Sequence, residues 1–265
     1  MHSSNRNNIK RKGNNSVPRL TTILGSFLEV LTHELLYTRS LYPHDAFSPT
    51  RHYGVACHAC RHPGVVDYIF DTLKIAVPSI ISGSVDGLYL LLYDEQTDEL
   101  LERFAFEFQL EDTVKIIESH VQNATEREEL EGKVQQLERS LRDVLLKVVS
   151  LDGTELGRKR GQRQFTGSAT FKLCLHTVQD NETAGSDNSQ MRACPELDEA
   201  MKEGAWFRSD SESCQFNSTP SIIDTGDGEY GVDMNNSRGS LTRPLKSINV
   251  PSCGLRLELL MEFPK

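Results

Sequence analysis

The chain has 265 residues, of which 37% are hydrophobic, and carries a formal net charge of -9. This length suffices for one large domain with a packed core, and the acidic balance disfavours strong direct binding to nucleic acid. The sequence contains no apolar signal segment and no run long enough to span a bilayer, and its six cysteines are scattered. We therefore expect a soluble intracellular protein with reduced thiols and no membrane partner.

The first 20 residues are polar and basic. They contain five cationic side chains and no acidic one: Arg6, Lys10, Arg11, Lys12 and Arg19. This composition predicts a disordered tail, with a nuclear-import signal as the alternative interpretation.

Two helices are predicted in the first third of the chain. Apolar residues recur at helical spacing at Leu24, Phe27, Leu28, Leu31 and Leu35, before Tyr42-Pro43 stops the run. A short strand is expected around residues 51–56. A second helix is expected from His62-Pro63, with Pro78 ending or bending it.

A hairpin and a third helix follow. A continuous apolar run at 88–93 and an alternating one at 101–108 predict two strands around a turn at 94–99. A long helix is then predicted from Asp112 to Val149. Its apolar stripe consists of Leu130, Val134, Leu137, Leu141, Leu145 and Val148.

The last third of the chain contains two predicted strands separated by a polar region. Phe171, Leu173 and Leu175 alternate with polar residues, as do Leu255, Leu257 and Leu259. Residues 179–240 are rich in polar residues and glycine, and we expect them to be mostly loop or disorder. The order of elements is an α+β pattern, which by itself names no function.

Several segments carry a resemblance to a known family. They are Phe27-Leu28-Glu29-Val30, Leu36-Tyr37, Leu41-Tyr42-Pro43, Phe47, His62-Pro63, Asp67-Tyr68-Ile69, Asp71-Thr72-Leu73 and Glu102 to Glu107. The first four resemble the first helix of HORMA domains and its continuation. The others are similar to the second helix and central strand of the accessory, non-catalytic subunit of DNA polymerase zeta, which is a mitotic-arrest-deficient-like protein.

The resemblance implies an α+β HORMA domain, in which three helices pack on a mostly antiparallel sheet with a mobile C-terminal safety belt. It places the domain at residues 21–265, after the basic tail 1–20. The core would span 21–178, and the belt with its polar insertion would span 179–265.

The resemblance also implies a function without catalysis or cofactor. In the family, the belt wraps over a short partner peptide, which is held as an added strand. The expected partner is a peptide of the catalytic subunit of polymerase zeta, in translesion synthesis and DNA damage tolerance in the nucleus, with the cytoplasm as a second location. The alternative within the family is a spindle-checkpoint HORMA protein that binds checkpoint peptides. Further implied partners are a scaffold translesion polymerase, a second HORMA domain in a homodimer or heterodimer, and an AAA+ remodelling ATPase.

Three site residues follow from family positions. Tyr68 lies where the family has an aromatic residue on the captured peptide, and Trp206 lies where it has a tryptophan that closes the belt. Arg142 matches an arginine through which family members pair with another HORMA domain. The alternatives are an ordinary core or surface role for the aromatic residues, and for Arg142 a solvated side chain paired with Glu138 one turn earlier.

The family holds its scaffold polymerase on the C-terminal strands. The matching positions here are Thr242, Glu258 and Leu260, where the family has Leu, Gln and Tyr. We therefore expect this contact to be weak or differently built.

One constellation suggests metal chemistry. Cys57 and Cys60 are separated by two residues and have His62 nearby, which is a spacing found in zinc sites. Because a second ligand pair is missing from the sequence, we expect free thiols and no metal, with a zinc-binding regulator as the less favoured alternative. No nucleophile triad or phosphate loop is recognisable, and no enzyme activity is expected.

Overall fold

The structure is a computed structural model that describes residues 20–110, 124–153, 169–178, 195–204 and 241–263. Four helices and seven strands are found in these ranges. The helices are α1 Leu20–Thr38, α2 Pro63–Ile81, α3 Ala124–Val149 and α4 Pro195–Lys202. The strands are β1 Phe47–His52, β2 Val55–Cys60, β3 Val85–Asp94, β4 Leu100–Leu110, β5 Ala169–Thr177, β6 Leu241–Val250 and β7 Leu255–Phe263.

Five strands form the main sheet in the order β5-β3-β4-β7-β6, and each neighbouring pair is antiparallel. The β1–β2 hairpin forms a separate two-stranded sheet that lies against α1. Helices α1, α2 and α3 share one hydrophobic core with one face of the main sheet. The predicted α+β class, with three helices on an antiparallel sheet, is confirmed.

The apolar periodicities of the helices predict which side chains are buried. Along α1, Leu24, Phe27, Leu28, Leu31 and Leu35 are all fully buried. Every residue of the predicted α3 stripe is also buried. Side chains at three- and four-residue spacing share one helix face, so the period read from the sequence is the period of burial. The predicted start of α3 at Asp112 lies outside the described residues.

The β3–β4 hairpin forms at the predicted turn. The Asp94 carboxylate accepts hydrogen bonds from the Gln96 and Thr97 N–H groups at 2.9 and 3.0 Å. Asp98 adopts a φ of 53°, a left-handed conformation that aspartate tolerates better than most residues. The turn fixes the register in which Leu90 faces Phe104 and Leu88 faces Phe106.

Four details differ from the sequence prediction. The strand expected at 51–56 covers the turn between β1 and β2, where Tyr53 and Gly54 have φ angles of 49° and 75°. Helix α2 continues past Pro78 to Ile81. Pro78 has no backbone N–H, but this close to the helix end its absence costs only one backbone hydrogen bond. Helix α4 lies in the region expected to be loop. Strand β6 was not predicted, since Pro244 interrupts its apolar pattern, and β6 lies at the sheet edge where proline is tolerated.

The second face of the sheet carries a smaller buried cluster, formed by Tyr89, Leu91, Tyr93, Ala105 and Leu260. Charged side chains surround it on the same face. In the described part of the chain, no helix combines the length and the apolar character needed to cross a membrane.

Candidate functional site

Strand β5 lies at one edge of the main sheet, and within the described ranges no strand pairs with its outer side. Leu173 is opposite Leu90 of β3, and the Leu173 N–H donates to a side chain outside the sheet, at 3.0 Å. In an antiparallel pair the backbone groups of alternate residues point to opposite sides. The N–H and C=O groups of Phe171, Leu173 and Leu175 therefore point outward, where an added strand could pair with them.

Aromatic side chains lie beside this edge. The Tyr68 ring contacts Phe171 edge-on at a centroid distance of 5.5 Å, and Tyr42 contacts the same ring at 6.4 Å. The acceptor of the Leu173 N–H is the Tyr68 hydroxyl. Burial raises the pKa of Tyr68, and the bond from Leu173 opposes that rise. We call Tyr42, Tyr68 and Phe171 the edge aromatic cluster.

The other side of β5 is polar. The Lys172 ammonium lies 4.4 Å from the centre of the Tyr93 ring and 3.3 Å from an Asp98 carboxylate oxygen. His176 Nδ1 lies 2.6 Å from Asp86 Oδ1. The hydrogen bond with Asp86 raises the pKa of His176. An added strand would thus meet aromatic rings on one side and partly exposed charges on the other.

The chain between β5 and β6 joins opposite edges of the five-stranded sheet. With strands about 4.8 Å apart, these edges are roughly 19 Å from each other. Within the connection, α4 packs on α2, the helix that carries Tyr68, and buries Leu197 and Ala200. The described segment ends at Gly204, so Trp206 lies outside the described residues and its role stays a prediction.

Arg142 lies on the exposed side of α3, with Leu146 one turn further along and 44% exposed. No ion pair joins Arg142 to Glu138 or to another residue in the part of the chain that the structure describes. Glu138 instead lies close enough to Tyr53 to add to the rise of the Tyr53 pKa, to about 12, which burial mainly causes. The alternative interpretation of Arg142, a pair with Glu138, therefore receives no support.

The three positions expected to meet a scaffold polymerase lie at the β6–β7 end of the sheet. Thr242 is opposite Glu262, and Glu258 is opposite Glu107. Arg256 donates to Glu258 at 2.6 Å, while burial, and after it Glu258, raises the pKa of Glu107. Leu260 is only 8% exposed and belongs to the second buried cluster, so a partner on this face would meet Glu258 more readily than Leu260.

Cys57 and Cys60 both lie on β2 and are buried free thiols. Residues three apart on a strand point to opposite faces and are roughly 10 Å apart, whereas zinc requires converging ligands. Burial raises the pKa of Cys57, which disfavours the thiolate. Among the described residues no three histidine, cysteine or acidic side chains converge as a metal site. The zinc alternative therefore gains no support.

A model of the HORMA domain family matches residues 21–162, more than half of the chain. The chain belongs to the HORMA domain family.

Curated relatives of this HORMA domain include two polymerase subunits and several checkpoint proteins. The DNA polymerase zeta processivity subunit of Schizosaccharomyces pombe is 36% identical over 92 residues, which are 34% of this chain and 42% of the relative. The DNA polymerase zeta subunit 2 of Drosophila melanogaster is 25% identical over 177 residues, 66% of this chain and 78% of the relative. The mitotic spindle assembly checkpoint protein MAD2B of Homo sapiens is 33% identical over 85 residues, 32% of this chain and 40% of the relative. The chain thus spans less than half the length of the first relatives it matches.

Solved structures agree on the fold. A chain in the crystal structure of the mitotic checkpoint complex superimposes with a TM-score of 0.58 at 14% identity, covering 92% of this chain and 98% of that one. The C. elegans protein HTP-2 bound to a HIM-3 closure motif gives a TM-score of 0.50 at 10% identity, covering 92% and 89%.

Sequence reasoning identified Tyr68 from the family and found β5 from its alternation, but it did not place them together. The contacts of Tyr68 with Phe171 and Leu173 join residues about 100 positions apart, and no local pattern signals them. The sequence indicates Tyr42 only as part of the signal that ends α1, whereas in the structure its ring completes the edge aromatic cluster.

Proposed function

We propose that this HORMA domain is a non-catalytic adaptor that captures a peptide of the catalytic subunit of DNA polymerase zeta on the outer edge of β5. The peptide would add a sixth strand, and the connection from β5 to β6 would hold it in place. The role is in translesion synthesis and damage tolerance, in the nucleus.

The observation that carries this proposal is the outward edge of β5 beside the edge aromatic cluster. Backbone pairing supplies affinity for any extended peptide, and the rings of Tyr42, Tyr68 and Phe171 supply a place for an apolar side chain. The change of sheet edge between β5 and β6 supports a belt, because that connection must pass across the domain. The names of the two polymerase zeta relatives support the choice of partner.

A second candidate is capture of a spindle-checkpoint peptide, favoured by the names of the MAD2B and MAD2A relatives. Both candidates use the same edge, so they differ only in the peptide. Pull-down of the full chain from cells of its own species distinguishes them. We expect the polymerase subunit, whereas recovery of a checkpoint activator without any polymerase subunit would contradict the proposal.

We expect Tyr68→Ala and Trp206→Ala each to weaken capture of the polymerase peptide at least thirtyfold. Truncation of an aromatic anchor at an interface costs ~2 kcal/mol or more, which corresponds to about that factor. Calorimetry measures the loss, with the tightest-binding member of a set of overlapping 20-residue peptides that cover the catalytic subunit. The single tryptophan, Trp206, gives a fluorescence readout in the wild type.

The matched control is Phe70→Ala, which removes an aromatic ring from the same helix. Phe70 is 58% exposed, and it has no described ring contact with the edge aromatic cluster. Its loss should leave the affinity within about twofold. Unchanged affinity in both Tyr68→Ala and Trp206→Ala would place the capture site elsewhere.

We also propose self-association, or pairing with another HORMA domain, through the exposed side of α3. In a two-fold dimer Arg142 acts twice, so Arg142→Ala should convert the dimer to a monomer, at a cost of ~1 to 3 kcal/mol for each acceptor left unpaired. Light scattering at matched concentrations measures this. The control is Arg256→Ala, because Arg256 is exposed on the opposite face of the sheet. A wild type that is monomeric at tens of micromolar would contradict the proposed dimer.

The remaining partners are proposals that rest on the family. A scaffold polymerase would meet the β6–β7 end of the sheet near Glu258, in a contact weaker or differently built than in relatives. An AAA+ ATPase would release the belt by remodelling it.

A further inference from the structure

Tyr68 makes a contact that a simple peptide anchor does not require. The residue is 42% exposed, yet its hydroxyl accepts a hydrogen bond from the Leu173 backbone N–H at 3.0 Å. Its ring meanwhile packs edge-on against Phe171 at 5.5 Å. A surface tyrosine is thus held against the edge of the sheet by both its ring and its hydroxyl.

The bonded N–H is one that an incoming strand needs. Leu173 lies between Phe171 and Leu175, whose backbone groups also point outward from β5. A peptide strand that runs along this edge would place a carbonyl at the Leu173 N–H. The Tyr68 hydroxyl oxygen occupies that position, so the peptide and the hydroxyl compete for one donor.

We propose that Tyr68 caps the edge of β5 in the free protein, and that a captured peptide displaces its hydroxyl from Leu173. This inference rests on the proposed capture of a peptide at β5 and specifies how that site is regulated. The two parts of the side chain then act in opposite directions. The ring stabilises the complex by packing on the peptide, and the hydroxyl weakens binding because it stabilises the free state.

In the free protein, the cap protects the β5 edge against pairing with other strands. An outward-facing row of backbone donors and acceptors invites pairing with any other strand, including the same strand of a second molecule. A hydroxyl on one donor in the middle of the row blocks a continuous ladder without a covalent change. Rotation of the side chain removes it, and a peptide with good ring contacts compensates for the lost bond.

The first test uses Tyr68→Phe in the full chain, which removes the hydroxyl and keeps the ring. The probe is the tightest-binding member of a set of overlapping 20-residue peptides that cover the catalytic subunit of polymerase zeta. Loss of the competing bond should tighten binding about fivefold, the factor that corresponds to one ordinary hydrogen bond. Tyr68→Ala should weaken binding in the same assay, because it also removes the ring.

The matched control is Tyr37→Phe, which also removes one tyrosine hydroxyl. Tyr37 lies on α1, where its ring stacks on His58 of β2 and packs edge-on against Phe47, outside the edge aromatic cluster. Its affinity should stay within twofold of the wild type. If Tyr68→Phe binds equally or more weakly than the wild type, the hydroxyl does not compete with the peptide and the inference is overturned.

The second test needs no peptide and separates this inference from the proposed function. Amide hydrogen exchange in the free protein should be faster at Leu173 in Tyr68→Phe than in the wild type, with the amide of Leu90 on β3 unchanged. If no peptide in the set binds but Leu173 exchanges faster, the choice of partner fails and the cap stands. If the Leu173 exchange rate is unchanged, the hydroxyl does not protect this amide and the cap fails whatever the peptides do.

Discussion

Glu102→Ala should lower the free energy of unfolding by about 3 to 5 kcal/mol, because it leaves the buried charge of Arg39 without its partner. Arg39 Nε lies 2.9 Å from Glu102 Oε2, and the two side chains are 13% and 7% exposed. The geometry is that of an ion pair and not of a hydrogen bond from Nε, which has no hydrogen-bond acceptor in the described residues. Urea titration of both proteins measures the loss.

The ion pair matters for the site because it links the turn after α1 to β4, the strand that holds the C-terminal hairpin. The Arg39 guanidinium lies 5.3 Å from the centre of the Phe104 ring on β4 and donates to Met261 Sδ on β7 at 2.9 Å. Loss of Glu102 therefore disturbs the packing where β7 joins β4. The proposed belt, which ends in β6 and β7, depends on that junction.

The control is Glu129→Ala, which breaks an ion pair with Lys133 on the surface of α3, where Glu129 is 68% exposed. An exposed pair one turn apart contributes about 0.5 kcal/mol or less, so this variant should resemble the wild type. The double variant Arg39→Met with Glu102→Leu should recover most of the stability, since apolar residues can replace a buried pair. A loss below about 1 kcal/mol in Glu102→Ala would mean that water reaches Arg39.

The elements with a strong local period were the ones that could be predicted from the sequence. Leucines at helical spacing in α1 and α3 and alternation in β5 and β7 specify both the element and its buried face, because burial and period have the same physical origin. Helix α4 could not be found in this way, since its eight residues bury only a narrow apolar strip. Strand β6 could not be found because Pro244 interrupts its apolar pattern, and this proline is tolerated at the sheet edge beside a register shift.

The candidate site also has one part that the sequence predicts and one part that depends on the assembled fold. Tyr68 was recognised from the family, but its partner at Leu173 follows from the sheet order, which places β5 at an edge next to α2. Arg39 and Glu102 are likewise distant in sequence, and neither residue type predicts the other. Contacts of this kind depend on the assembled fold, so a single sequence cannot specify them.

Acidification from pH 7 to pH 4 should cost the folded state about 3 kcal/mol through His33 alone. His33 is 4% exposed on α1, and its Nδ1 has no hydrogen-bond partner in the described part of the chain. Burial lowers the pKa of His33 from 6.5 to about 4. As pH falls below 6.5, His33 binds a proton in the unfolded chain but stays neutral in the folded protein. Stability is therefore lost between pH 6.5 and pH 4 and is fully present above that window.

His33→Gln isolates this effect because glutamine is neutral throughout the range. Urea midpoints measured at half-unit steps from pH 7.5 to pH 4 should fall more steeply for the wild type than for the variant, whatever the offset between them. Other groups with raised pKa values, such as His176 beside Asp86 and Glu107 opposite Glu258, remain in both proteins, so their contributions cancel in the difference. Parallel curves would show that His33 binds a proton in the folded state as readily as in the unfolded chain, which would contradict the burial of its imidazole on α1.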